Sequence, residues 1–145
     1  AALDKRWPHV GAAYRAWVKD CFAKGEQDTD LLGQVHYVDI NRLEQREDKL
    51  LVANLVGQHH VGRDALGNAP IRYSAIRKGL KAVCRTAWYD CASVVMPKMG
   101  AGLAGGDWAI IENIIIEELT GAIDVTVYVL DVPYQFNKRA KTRDT

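Results

Sequence analysis

Between residues 50 and 131, strand-like and helix-like apolar patterns alternate, and few architectures accommodate that order. Residues 50–56, LLVANLV, are nearly all apolar and suit a strand covered on both faces. Residues 72–88 follow a helical period. Ile76, Leu80, Val83, Cys84 and Ala87 fall on one stripe, and Arg77, Lys78, Lys81 and Arg85 fall off it. Residues 92–97 read as a short buried strand. Residues 108–119 read as a helix with Trp108, Ile111, Ile115 and Leu119 inward, stopped by Gly121. Residues 123–131 alternate as a last strand. Such an order builds a mostly parallel sheet with helices on its faces. The expected class is α/β, a three-layer α/β/α arrangement around a mixed, mostly parallel sheet.

Upstream, Val10, Ala13, Tyr14, Trp17, Val18, Cys21 and Phe22 recur at helical spacing, and Arg15, Lys19, Asp20 and Lys24 lie off that stripe. Pro8 suits the first turn, where an N–H has no intrahelical acceptor. A polar stretch at 25–30 closes the helix. Residues 34–40 are rich in β-formers and predict a strand, and 41–49 a charged connection. Residues 57–70 form a long loop with four glycines or prolines in fourteen positions. Loops of that length inside a compact domain are often functional. The expected division is a domain over 1–132 and a basic tail over 133–145.

At 145 residues the chain has the length of one domain and can bury a core without staples. Nineteen basic against eighteen acidic residues exclude a broad nucleic-acid footprint, which needs a clustered basic excess. Cys21, Cys84 and Cys91 form no CxxC pair and read as buried free thiols in a reducing compartment. No apolar run reaches the roughly 18 residues of a membrane span, and residues 1–8 lack a signal peptide's apolar core. No membrane partner and a cytoplasmic setting are therefore expected. No pair of side chains has metal-ligand spacing, so no metal and no cofactor are expected.

The chemistry-bearing segment is VVMPKMGAGLAGGDW, residues 94–108. A strand enters a glycine-rich loop over 98–107 and a helix follows at once. Glycines let backbone N–H groups approach an anion, and a helix N-terminus adds a favourable dipole. No Gly-Lys-Ser/Thr follows, so this is not a Walker loop. Nor is it a dinucleotide fingerprint, because it follows a late strand. Taken alone it is equally a tight turn. The loops at 57–70 and 98–107 both leave the carboxyl ends of strands, where ligands of α/β sheets collect.

Asp107 stands beside the loop as a candidate general base or ribose ligand, and also at the N-cap of the following helix. His59 and His60 titrate near neutrality, but neighbours in an extended segment point opposite ways, so only one can serve. His59 is the candidate. Asn54, inside an apolar strand, must find hydrogen bonds if buried. Trp7, Trp17, Trp88 and Trp108 read as mainly core, and Lys138, Arg139, Lys141 and Arg143 as a solvated tail.

MPKMGAGLAGGDW resembles the diphosphate-binding loop of macrodomains. KRWPHVGAAYRAW, VANLVGQ and PIRYSAIRKGL resemble further family segments, so the likeness covers about residues 1–131. It is nearest to the glutamate-linked ADP-ribose hydrolases and DNA ADP-ribosyl antitoxins. The resemblance implies an ADP-ribose site, with ADP-ribose or an ADP-ribosylated protein or nucleic acid as partner. Gly100, Ala101, Gly102, Leu103, Ala104, Gly105 and Gly106 would hold the diphosphate and distal ribose. Gln58 would lie at the ribose, and Tyr134 over the adenine. Hydrolases of this group carry a lysine soon after the VANLV-type strand, where this chain has Gly57, Gln58, His59 and His60. The glutamate-specific branch has an acid where Ala104 stands. Three readings follow: a hydrolase of an ADP-ribosyl linkage or phosphate ester, a non-catalytic reader, or a degenerate structural module. Family members also open with two strands not seen in this sequence, one of them central. The expectation is an N-terminally incomplete domain, with the missing strands supplied by upstream residues or another chain.

Overall fold

The computed structural model describes residues 5–59, 64–100, 105–129 and 132–136. Helix α1 (Pro8–Ala23) starts with its proline at the first helical position and ends before Gly25, whose φ is +91°. A single turn, α2 (Asp28–Leu31), follows. Its box is closed by Asp30, whose carboxylate accepts the Gln27 amide at 2.7 Å. Strands β1 (Val35–Asp39) and β2 (Leu51–Leu55) pair antiparallel, Val35 opposite Leu55 and Asp39 opposite Leu51. A second single turn, α3 (Asn41–Glu44), lies in the charged connection between them. Asn41 gathers that connection, accepting the Leu50 amide and donating to the Asp48 carbonyl.

Strand alternation divides the two faces of this pair. Val52 meets Val10 and Ile40, and Val56 meets Cys21 and Leu31, all on the α1 side. Val35 and Leu55 pack instead on the central core. That core lies along helix α4 (Tyr73–Tyr89), which buries Ala75, Ile76, Gly79, Leu80, Val83 and Ala87. A Cβ at Gly79 would overlap the Leu55 side chain, so the glycine sets how closely α4 rides on β2.

Strand β3 (Val94–Pro97) leads through the glycine loop to α5 (Trp108–Ile115), which widens into a π-helical turn at Ile116–Thr120. Strand β4 (Val125–Val129) returns parallel to β3, Val94 opposite Val125, and β5 (Val132–Pro133) pairs antiparallel with β4. Ile111, Ile115, Leu119 and Val127 are fully buried between these strands and α4. Beyond β5, Tyr134 and Phe136 pack on the same core.

The α/β class stands, but the expected single, mostly parallel sheet does not appear among the described residues. They hold a two-stranded sheet, β1–β2, and a three-stranded sheet, β3–β4–β5. Only β3–β4 is parallel, because only that pair is joined by a crossover helix within one sheet. No hydrogen-bonded ladder joins β2 to β3, although α4 packs against elements of both sheets.

Three smaller expectations are corrected. Trp88 is 67% exposed, because it follows Ala87 on the buried stripe of α4 by one residue and so turns outward. Of the cysteines only Cys21 is buried; Cys84 is half-buried and Cys91 exposed. Gly121 has φ −74°, so the helix ends through its widened turn and not through a left-handed glycine. Among the described residues no helix is long and apolar enough to cross a membrane.

Candidate functional site

The carboxyl ends of β2 and β3 converge on one rim. Leu55, Gly57, Ile71, Ile76, Met99 and Gly100 line a small, mainly apolar cavity of about 100 Å³ there. Each loop is closed at its base. In the first, the Arg72 amide donates to the Gly57 carbonyl at 2.9 Å and the His59 amide to the Pro70 carbonyl at 3.0 Å. Gln58 and Ile71 form a bridge between these bonds. The Arg72 guanidinium donates to the carbonyls of Ala69 and Ile71 at 2.8 and 2.9 Å. Asp64 Oδ1 accepts the Leu66 and Asn68 amides, both at 2.9 Å, which folds a tight turn within the loop.

In the second loop, Gly100 (φ +80°) and Gly105 (φ +70°) take conformations that favour glycine. The Gly106 amide donates to the Gly100 carbonyl at 2.8 Å and ties the two stems together. Ile71 and Ile111 press on both stems. A Cβ at Gly100 would meet their δ-methyls at 2.9 and 2.7 Å, and one at Gly106 would also strike the Gly100 carbonyl. Gly100 is required by close packing as well as by turn geometry, and Gly106 by close packing alone.

Asp107 is the N-cap of α5, its Oδ1 accepting the Ala109 amide at 2.9 Å. Its own amide donates to the Tyr73 hydroxyl at 2.9 Å, and its carbonyl accepts from Ile110 and Ile111. The amides of Gly106, Asp107 and Ala109 are thus all bonded within the protein. Beside the loop, the Lys98 ammonium stands 5.2 Å from the Trp108 ring and 5.6 Å from that of Tyr134. Trp108 and Tyr134 meet edge to face at 5.5 Å, and Tyr134 meets Phe136 at 5.9 Å. The Tyr134 hydroxyl donates to the buried Glu112 carboxylate, which holds its pKa above the ordinary value.

Of the residues selected from sequence, Gly100, Gly105, Gly106 and Asp107 lie on one loop, and Gln58 and His59 on the other. Gln58 is exposed and His59 half-buried. Ala101, Gly102, Leu103, Ala104 and His60 lie outside the described residues. Ile71, Tyr73 and Glu112 were not legible as site residues. Tyr73, three positions before Ile76, falls on the apolar stripe of its helix, where an aromatic marks packing, and Glu112 was an acid inside the apolar run IIENIII. A roomier hollow of about 650 Å³ lies between α4 and α5, away from the loop cavity. Arg77 spans it, bonded to Glu117 at 2.6 Å and Glu118 at 2.7 Å. Among the described residues no three His, Cys, Asp or Glu side chains are grouped to hold a metal.

No family model and no curated protein matches the sequence. Solved structures do. A protein of unknown function from Bacteroides thetaiotaomicron is 45% identical, with a TM-score of 0.74, over 88% of this chain and 74% of its own. A macrodomain protein from Streptomyces coelicolor is 40% identical, with a TM-score of 0.64, over 88% of this chain and 74% of its own. The chain belongs to the macrodomain family. The macrodomain of Thermus aquaticus DarG, at 23% identity and a TM-score of 0.59, shares the fold over 88% of this macrodomain and 76% of its own chain.

Proposed function

We propose that this macrodomain binds ADP-ribose, free or carried on a protein or nucleic acid, on the rim between its two loops. The observation that carries the reading is the glycine loop. Its stems are tied by the Gly106–Gly100 bond and seated on Ile71 from the opposite loop. Backbone amides between those stems would serve the diphosphate, through Gly100, Ala101, Gly102, Leu103, Ala104 and Gly105. Gln58 would face the ribose. The helix terminus contributes less than its dipole suggests, because the Asp107 and Ala109 amides already have acceptors.

A second reading adds hydrolysis of the ADP-ribosyl linkage or of a phosphate ester, with Asp107 and His59 in acid–base roles. The cap bond of Asp107 and the absence of a lysine at 57–60 favour binding without turnover. The proposal also includes an additional strand between β2 and β3, from the same polypeptide or a second chain, completing one mixed sheet inside a three-layer fold. Two observations support it. β2 and β3 lie in separate sheets that α4 packs against. Asn54 Nδ2, buried on β2, has no hydrogen-bond partner among the described residues.

Calorimetry and thermal denaturation with ADP-ribose test the binding. A ligand held only by the native state raises the melting temperature by mass action. Gly102→Glu, which puts a carboxylate into the anion site, should abolish that rise while the protein stays folded. No shift at roughly millimolar ADP-ribose in a folded sample overturns the reading.

A further inference from the structure

We infer that Tyr73 is a positioning residue for the phosphate loop, acting through the Asp107 backbone and not through the ligand. The inference rests on the ADP-ribose reading of this rim. Tyr73 opens helix α4, directly after the segment that closes the other loop. Its hydroxyl accepts the Asp107 amide at 2.9 Å from 34 positions earlier in the chain. Two residues before it, Ile71 presses its δ-methyl against both glycine stems. Between them, Arg72 bonds the Ala69 and Ile71 carbonyls and donates its amide to Gly57.

Residues 71–73 therefore join the two loops by two unlike contacts. Ile71 sets the depth of the glycine stems through packing. Tyr73 sets where the loop hands over to α5, because a hydroxyl accepting one amide fixes both the position and the direction of that N–H. With the Asp107 carboxylate turned to the Ala109 amide, both ends of this residue are occupied. The exit of the loop is thus held in place before any ligand arrives, which lowers the ordering cost of binding. Without the hydroxyl, the Asp107 amide loses its acceptor and the exit stem its anchor, while Ile71 still seats the glycines.

The test removes one oxygen. Tyr73→Phe keeps the ring, and Tyr89→Phe, at a site 90% exposed, controls for losing a tyrosine hydroxyl. ADP-ribose affinity by calorimetry, the melting temperature and amide hydrogen exchange are measured on both variants and the parent. Tyr73→Phe should bind about fivefold more weakly, the scale of one hydrogen bond. Its Asp107 amide should exchange faster, with exchange in α4 and β4 and the melting temperature close to the parent's. Affinity equal to the parent's overturns the inference. So does a loss of affinity that accompanies faster exchange throughout the protein, which marks a general loss of stability. If the parent itself binds no ADP-ribose, the functional reading fails separately, and the positioning role falls with it. Exchange at Asp107 then still decides whether the Tyr73 bond holds the loop exit.

Discussion

The β1–β2 pair and the β3–β4–β5 sheet are built from similar residues but are covered differently. Around the first pair, α1 closes one face and α4 approaches the other, with Val52 and Val56 on the α1 side and Val35 and Leu55 on the α4 side. Around the second, α4 and α5 bury Met96 and Val127, while Val95 and Tyr128 on the opposite side are 67% and 39% exposed. Strand pattern alone does not produce this difference, since both sheets offer apolar residues on alternate faces. It arises from which helices lie against them. The second sheet owes its stability to one face, so its residues should divide sharply between costly and neutral.

The largest effect should come from the packed face. Leu119→Ala removes a fully buried side chain and should cost about 3 kcal/mol or more in chemical denaturation. Val95→Thr, on the open face, should stay within about 0.5 kcal/mol. A cost near 2 kcal/mol for Val95→Thr would show that face covered in solution, and the contrast between the sheets would vanish.

The contrast also governs what the sequence disclosed. The stripe in residues 10–22 and that in 76–87 were legible because each repeats for three or more turns. The single turns Asp28–Leu31 and Asn41–Glu44 were not, since four residues carry no period. The widened turn at Ile116–Thr120 was hidden because Ile111, Ile115 and Leu119 keep an ordinary helical spacing through it. At the rim, the strand–glycine–helix order marked Gly100, Gly106 and Asp107. Ile71 and Tyr73 did not stand out, because their partners lie some 30 residues away and are chosen only when α4 docks beside α5. The gap between β2 and β3 is invisible to any local pattern, because each strand looks complete by itself.

A smaller effect should follow at the junction of loop and helix. Asp107→Ala removes the cap and should lower stability by about 1 kcal/mol in denaturant melts. ADP-ribose affinity should change less. If stability holds while turnover of an ADP-ribosylated substrate collapses, Asp107 is a catalytic residue and the cap is incidental.

The smallest effect belongs to the first sheet. His36 is stacked on Trp17 at 5.2 Å, and burial lowers its pKa below the ordinary 6.5. The unfolded chain therefore takes up a proton at a higher pH than the native protein does. The stability this residue contributes is present above pH 6.5 and is lost as pH falls below it. Melting temperatures recorded downward from neutrality should decline in the parent, and His36→Phe should flatten the decline. An unchanged slope in that variant would move the acid sensitivity to another group.

The graded exposure of the three thiols has a practical consequence. Cys91 lies just past the end of α4, a helix of 17 residues and so roughly 25 Å long, and its other end carries Tyr73 at the rim. Maleimide chemistry under mild conditions should select it over buried Cys21 and half-buried Cys84. A dye, a biotin or a sensor surface attached there would leave the loops facing bulk solution, so the fold carries its own oriented tether.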